Sequence, residues 1–157
     1  MARKLDYGKA MPQPLSPHLC VSNAAGAIDF YKRAFNAREI TRHSAPDGKR
    51  IMHAALDING GMLMLSDDFP EYRGGKSSTP EALGGSPVVL HLQVSDADAL
   101  FNQAVAAGAK VAMPLADQFW GDRYGQITDP FGLTWSIGAQ VKKLSDEEIQ
   151  QAAKAHF

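Results

Sequence analysis

The chain has 157 residues, of which 45% are hydrophobic and 21% are charged, so it can bury a core and is unlike a disordered chain. Its formal net charge of −1 argues against a basic surface for nucleic acid, and its only cysteine, Cys20, excludes an internal disulfide. The sequence contains neither a signal-peptide pattern nor the apolar run of about 18 residues that a membrane helix needs. These properties predict a cytoplasmic globular protein with no nucleic-acid or membrane partner.

The first half of the chain predicts the element order β-α-β-β-β. Residues 1–14 show no periodicity and end in prolines, so we expect an N-terminal arm there. A strand over 16–21 precedes Asn23, which is a good N-cap for a helix from Ala24 to Phe35. Strand-like runs follow at 39–43, 50–58 and 62–66. The segment 68–87 is rich in glycine, serine and proline and predicts a linker.

The same order of elements returns after this linker. The residues from His18 to Ser22 recur in similar form from His91 to Ser95, 73 residues later. A helix from Ala97 to Gly108 follows, and then strand-like runs at 110–114, 123–128 and 133–138. The repeat predicts an α+β fold of two βαβββ modules.

The predicted boundaries follow from this repeat. The modules span about 15–67 and 88–140, and together they form one domain over 15–140. A capping box at Ser145–Glu148 predicts a short C-terminal helix within 141–157.

Alternation along the strands separates the two faces of each sheet. One set of positions is apolar and is predicted to face the helices: Leu19, Val21, Met52, Ala54, Leu56, Leu90, Leu92, Val94, Leu133, Trp135 and Ile137. The alternate set is mixed: Ser16, His18, Cys20, Ile51, His53, Ala55, Asp57, Val89, His91, Gln93, Thr134 and Ser136. A mixed face is typical of a ligand site, so we predict curved mixed sheets that enclose a concave cavity.

The stretch Asp117–Ser136 surrounds a tight turn, Asp129-Pro130-Phe131-Gly132. Its first part contains several aromatic and charged side chains. The aromatic rings would supply contact area for a ligand, and Arg123 would bind an anionic group of that ligand. The alternatives are that Arg123 pairs with Asp117 or Asp122, and that the aromatics are plugs beneath the loop. The predicted ligand-binding residues are His18, His91, Phe119, Trp120, Arg123 and Tyr124.

Three stretches are distinctive beside the paired modules: AIDFYKRAFNA, HLQVSDADALFNQAVAAGAKV and DQFWGDRYGQITDPFGLTW. Together they resemble the vicinal-oxygen-chelate superfamily of glyoxalases, bleomycin-resistance proteins and extradiol dioxygenases. Two others, IMHAALDI and MLMLSDDFPE, resemble its PhnB-like branch. The resemblance covers about residues 15–140 and implies a glyoxalase-like fold, a small-molecule ligand and a homodimer.

The resemblance also implies where a metal would lie. Enzymes of the superfamily hold a divalent metal with side chains from four strands, which correspond here to Ser16, His53, Val89 and Ser136. Only His53 is a good ligand, because valine cannot bind a metal and serine hydroxyls bind poorly. The resemblance therefore implies that the usual metal site and any cofactor are missing. A rearranged divalent-metal site of His18, His53 and His91 is the alternative.

Three functions stay open at this point. The first is a metal-free protein that binds a small organic molecule, with an anionic ligand as one option. The second is a metal-dependent lyase or dioxygenase-type enzyme. The third is a metal-independent enzyme in which His53 acts as the catalytic acid or base. The alternative is that His53 has only a structural role, as a buried, hydrogen-bonded residue.

Overall fold

A computed structural model describes residues 14–157 and confirms the order β-α-β-β-β in both halves. The predicted arm over residues 1–14 lies outside the described residues except for Pro14. The strands are β1 (His18–Val21), β2 (Arg38–Ser44), β3 (Ile51–Ile58), β4 (Gly61–Asp67), β5 (Val89–Gln93), β6 (Lys110–Asp117), β7 (Asp122–Thr128) and β8 (Thr134–Gln140). The helices are α1 (Ala24–Phe35), α2 (Pro80–Leu83), α3 (Ala97–Ala107) and α4 (Asp146–His156).

The strands form two four-stranded mixed sheets of the same topology. The first has the order β1-β4-β3-β2 and the second the order β5-β8-β7-β6. In each sheet the first strand lies at an edge and pairs in parallel with the last strand, whereas the other pairings are antiparallel. The predicted α+β fold of two βαβββ modules is confirmed.

Local signals set the ends of the helices as the sequence predicts. Asn23 Oδ1 accepts a hydrogen bond from Gly26 N at 2.9 Å, which caps the start of α1. Asn36 ends α1 in the left-handed conformation at φ 55°. Ser145 and Glu148 form the predicted capping box at the start of α4. None of the helices within residues 14–157 is long and apolar enough to cross a membrane.

The two modules share one hydrophobic core. The helix-facing residues of both sheets belong to a single buried cluster with α1 and α3. Across the module boundary, the rings of Phe35 and Trp135 lie 4.6 Å apart between centroids. Gln103 Nε2 on α3 donates to Arg33 O on α1 at 2.8 Å. These contacts hold the two sheets in a fixed relation.

The predicted faces are wrong at the start of β3. Met52 was expected in the core, but it is 53% exposed, whereas Ile51 is 3% exposed and belongs to the core. The register explains this, because His43 pairs with His53 while Ser44 pairs with Ile51, so the pairing skips Met52. A bulge of one extra residue reverses the alternation on its N-terminal side.

Asp129, the first residue of the tight turn, is a buried carboxylate that ties the modules together. It is 4% exposed. Its Oδ2 accepts hydrogen bonds from Tyr31 Oη at 2.6 Å and from Trp135 Nε1 at 2.9 Å. Its Oδ1 accepts from the amides of Phe131 at 2.9 Å and Leu133 at 3.0 Å. The turn is therefore anchored on α1 of the other module.

Candidate functional site

The side of the second sheet opposite the helices carries a connected set of polar side chains. We call this set the second polar face: His91, Gln93, Tyr124, Gln126 and Ser136. The register places His91, Ser136 and Gln126 in one row across β5, β8 and β7. Gln93, Gly138 and Tyr124 form the next row. Residues in the same row point to the same side of the sheet, so these side chains converge.

Hydrogen bonds fix the orientation of His91 on this face. Its Nδ1 lies 2.7 Å from Ser136 Oγ, and its Nε2 lies 2.7 Å from Gln93 Oε1. Since an amide oxygen can only accept, Nε2 donates to Gln93, and a neutral imidazole then accepts the Ser136 hydroxyl proton at Nδ1. Gln126 Nε2 donates to Tyr124 Oη at 2.9 Å. The face is therefore pre-organised before any ligand arrives.

Gly138 provides the space that this arrangement needs. A Cβ atom at this position would lie 3.1 Å from Cε1 of His91 and 3.3 Å from Oε1 of Gln93. A side chain would push both groups away from the sheet. The glycine therefore lets the imidazole and the amide lie flat against β8.

Aromatic rings continue the second polar face toward its rim. The rings of His91 and Tyr124 are stacked with centroids 6.0 Å apart, and Trp120 meets Tyr124 edge to face at 5.4 Å. Such offset and T-shaped contacts are the favoured geometries for aromatic pairs. The structure thus brings together three of the predicted ligand-binding residues, His91, Trp120 and Tyr124.

Phe119 has a different position. Its ring contacts Trp120 at 5.2 Å on one side and His156 of α4 at 4.9 Å on another. Phe119 therefore packs between Trp120 and the C-terminal helix. This agrees with the alternative that some of these aromatic side chains pack beneath the loop and do not contact a ligand.

Gly121 sets the path of the loop that carries Trp120. Its φ is +100°, and a Cβ atom there would collide with the carbonyl oxygen of Lys142. Its own carbonyl oxygen accepts hydrogen bonds from Val141 N at 3.0 Å and Lys142 N at 2.9 Å. Glycine is required because an L side chain is strained at this φ and would have no room.

The structure does not place Arg123 on the second polar face. Neighbours along a strand point to opposite sides, and Arg123 points to the helix side of β7. There Nε and Nη2 donate to the two carboxylate oxygens of Asp98 at 2.6 and 2.9 Å, and Nη1 donates to Asp117 at 3.1 Å. The structure therefore supports the alternative for Arg123, an internal ion pair with Asp117, over the binding of an anionic ligand. Asp98 is a further partner in this ion pair.

The first sheet carries a separate polar face with three imidazoles. The ring centroids of His18 and His53 lie 5.8 Å apart, and those of His43 and His53 lie 6.0 Å apart. Cys20, in the same face as His18, donates its thiol proton to Asp68 Oδ1 at 3.5 Å. Burial raises the pKa of the Cys20 thiol to about 11, so the thiol is not an ionised nucleophile near neutral pH. His53 as a catalytic acid or base stays a prediction.

We expect the pKa of His18 to depend on His53. The pKa of His18 lies below its ordinary value, first because the surrounding protein removes water from part of the ring, and then because of the positive charge on protonated His53. The variant His53→Gln should raise the pKa of His18, although not to the ordinary value, since burial remains. An NMR titration of the imidazole protons measures this. His43→Gln is the control, and an unchanged pKa in His53→Gln would refute the coupling.

The comparisons with known proteins agree with this architecture. A model of the Glyoxalase/Bleomycin resistance protein/Dioxygenase superfamily matches residues 13–137. Protein Mb0911c of Mycobacterium bovis is 56% identical over 138 residues, which are 88% of this chain and 90% of that protein. The crystal structure of TioX from Micromonospora sp. ML1 shares 31% identity at a TM-score of 0.63, with 80% of this chain and 97% of that chain covered.

The chain belongs to the Glyoxalase/Bleomycin resistance protein/Dioxygenase superfamily. A PhnB protein from Bacillus cereus has the same fold at a TM-score of 0.61 and 19% identity, with 81% of this chain and 99% of that chain covered. The predicted resemblance to the superfamily is confirmed, and the fold is shared with a PhnB protein.

The residues of this superfamily member do not fit the divalent metal that its enzymes hold. Of the four corresponding positions, Val89 offers no donor atom, and the Ser136 hydroxyl is already bound to His91. Ser16 Oγ is buried with no partner among the described residues, but a neutral hydroxyl is a poor metal ligand. His53 is thus the single strong donor of the four.

The rearranged site does not form either. His18 and His53 are neighbours on the first sheet, whereas His91 lies on the second sheet and is held by Ser136 and Gln93. Within residues 14–157, no three histidine, cysteine, aspartate or glutamate side chains are grouped to hold a metal ion. The alternative set of His18, His53 and His91 is therefore not brought together.

Three neighbours of these sites were not predicted from the sequence: Gln126, His43 and Asp98. Gln126 lies two residues after Tyr124 on β7, so the alternation that selects Tyr124 also selects Gln126. His43 could be found only from the register of β2 against β3. Asp98 carries no such signal, because its contact with Arg123 joins a helix to a strand 25 residues away.

Proposed function

We propose that this superfamily member binds a small, planar organic molecule on the second polar face, without the metal that the superfamily's enzymes use. The observation that carries the proposal is the continuous surface of Trp120, Tyr124 and His91, whose rings lie 5.4 and 6.0 Å from one another. A planar ligand gains contact area on such rings at a low cost in side-chain entropy, because they already hold each other in place.

The polar groups of the face indicate the chemistry of the ligand. Gln93 and Gln126 supply amide groups and Tyr124 supplies a hydroxyl, all of which can donate and accept hydrogen bonds. Ser136 is buried and its hydroxyl is bound to His91, so it orients the imidazole and does not reach the ligand. Arg123, the cation expected for an anionic ligand, is held by Asp98 and Asp117 on the other side of β7. The proposed ligand is therefore an uncharged ring system with amide-like donors and acceptors at its edge.

The proposal includes a homodimer in the cytoplasm. His91 and Gln93 are exposed in the single chain, and Val89 beside them is 42% exposed. A second copy that covers these residues would exclude water from the ligand and strengthen its hydrogen bonds. This part of the proposal follows the resemblance to the superfamily.

The proposal is tested by a thermal-shift screen of uncharged heterocycles and aromatic amides in excess EDTA. We expect at least one compound to stabilise the protein, because a ligand that binds only the folded state raises its unfolding temperature. The affinity of that compound should be the same when EDTA is replaced by a divalent metal salt. Light scattering on the same sample should give the mass of two chains.

Two results would contradict the proposal. Stabilisation that appears only with added metal would support a metal-dependent enzyme instead. A mass of one chain in the presence of a saturating ligand would remove the homodimer from the proposal.

A further inference from the structure

The linker between the modules forms a cavity at the edge of β1. This cavity has a volume of about 300 Å³ and lies apart from the second polar face. We call it the linker slot. Its walls include His18 and Cys20 of β1, Ser78 and Leu83 of the linker, and Leu90 and Leu133 of the second module.

The linker is ordered, so the slot is preformed. Thr79 is 6% exposed, and its Oγ1 caps α2 by accepting from Ala82 N at 3.3 Å. Ser78 N donates to Asp68 Oδ1 at 3.4 Å, and Gly85 N donates to Pro80 O at 2.8 Å. A preformed pocket binds its ligand without an ordering cost.

Gly132 of the tight turn allows the linker to pack closely. A Cβ atom at Gly132 would lie 2.9 Å from Cβ of Pro80, and the φ of Gly132 is +90°. Pro80 is itself buried. The turn and α2 therefore close one end of the slot.

The lining of the slot is mainly apolar and carries no formal charge at neutral pH. Apart from His18, Cys20 and two serines, its walls are aliphatic or proline side chains and glycine, and none of the described lining residues is an aspartate, glutamate, lysine or arginine. The Cys20 thiol is engaged with Asp68 at 3.5 Å. An ionised ligand among such walls would lose its hydration without gaining polar contacts in return. Arg73 and Asp68 both lie beside Cys20 and carry opposite charges, so together they favour neither an anion nor a cation.

We propose that the linker slot is a second binding site, for a neutral and mainly apolar molecule with one or two rings and a single hydroxyl or carbonyl group. The imidazole of His18 and the hydroxyl of Ser78 are the hydrogen-bonding groups that would receive this single polar group. A volume of about 300 Å³ lies at the lower end of the range for small-molecule pockets, which suits a ligand of this size. This site differs from the proposed function in both position and ligand chemistry.

The probe is β-naphthol, a neutral two-ring molecule with one hydroxyl group, titrated into isotope-labelled full-length protein. We expect the backbone amide signals of Leu19, Ser78, Leu83 and Leu133 to shift, while that of Gly138 on the second polar face stays unchanged. The anion β-naphthoate has nearly the same shape, and we expect it to bind at least tenfold more weakly.

Two variants fill the slot from its exposed rim. Leu83 is 67% exposed and Val88 is 56% exposed, so Leu83→Trp and Val88→Trp should leave the unfolding temperature nearly unchanged. Each should weaken the binding of β-naphthol at least tenfold. Val111→Trp, on β6 and 49% exposed, is the matched control and should bind like the original protein.

Three results would overturn the proposal. The first is that β-naphthol shifts no slot amide, or shifts only signals of the second polar face. The second is that both slot variants, while folded, bind it as tightly as Val111→Trp. The third is that β-naphthoate binds as tightly as β-naphthol.

Discussion

We expect the Asp129→Ala variant to lose about 3–5 kcal/mol of unfolding free energy, because it leaves buried donors without a partner. The carboxylate accepts hydrogen bonds from Tyr31, Trp135 and the amides of Phe131 and Leu133, at 2.6–3.0 Å. Three of these four donors lie in the turn and β8 of the second module, and Tyr31 lies on α1 of the first. The loss should therefore weaken both modules together, as a denaturant unfolding curve can show.

Two further variants separate hydrogen bonding from shape. Asp129→Asn has nearly the same shape, but its NH₂ group must face either the two side-chain donors or the two backbone amides. We expect its loss to be nearly as large as that of Asp129→Ala. Tyr31→Phe removes one donor and should cost about 1–2 kcal/mol.

Asp29→Ala, on the exposed side of α1, is the control and should stay within about 0.5 kcal/mol of the original protein. If Asp129→Ala were as stable as Asp29→Ala, the turn would not be the joint between the modules that the structure indicates.

The second large effect concerns ligand affinity. We expect Trp120→Ala to weaken the binding of the ligand found in EDTA by about tenfold to a hundredfold, as the loss of an aromatic anchor does at other interfaces. Trp120 contacts Tyr124 at 5.4 Å, so its removal also loosens the next ring in the row. Isothermal titration calorimetry on the folded variant measures the change.

Arg123→Gln provides the matched control for this prediction. Arg123 and Tyr124 are adjacent on β7, but Arg123 faces Asp98 on α3 and Tyr124 faces His91. Affinity should therefore be unchanged in Arg123→Gln. If Arg123→Gln weakened binding while Trp120→Ala did not, the ligand would lie on the helix side of the loop and the proposed site would be wrong.

The contrast between Arg123 and Tyr124 shows why the sequence predicts the fold better than the site. Element order and helix ends depend on local signals such as Asn23, Asn36 and the capping box at Ser145, and these are readable from the chain. The side to which a residue points depends on register. Alternation already places Arg123 opposite Tyr124, but the density of aromatic and charged residues in one loop makes the loop look like a single surface.

Register also explains the error at the start of β3. The run from Arg50 to Ile58 has two adjacent apolar residues at its start, Ile51 and Met52, and nothing in it marks the bulge that exposes Met52 and buries Ile51. A bulge is a relation between two strands, so it becomes visible only when β2 is paired with β3. Central positions of β3 such as Leu56, which lie beyond the bulge, follow the prediction.

Asp129 and the linker illustrate what distant contacts add. An aspartate before proline in a tight turn is usually a surface residue, and its partner Tyr31 is 98 positions away. The segment 68–87 has the composition of a simple connection, yet Thr79 and Pro80 are buried and organise α2. Neither role could be predicted from local sequence, because both depend on how the modules pack.

The most direct test of metal-free binding on the second polar face is a ligand titration followed by proton–nitrogen correlation spectra in excess EDTA. We predict that the stabilising ligand shifts the signals of His91, Gln126 and Gly138 and the indole signal of Trp120. Signals that shift only outside this face, or that do not shift until a divalent metal is added, would contradict the account.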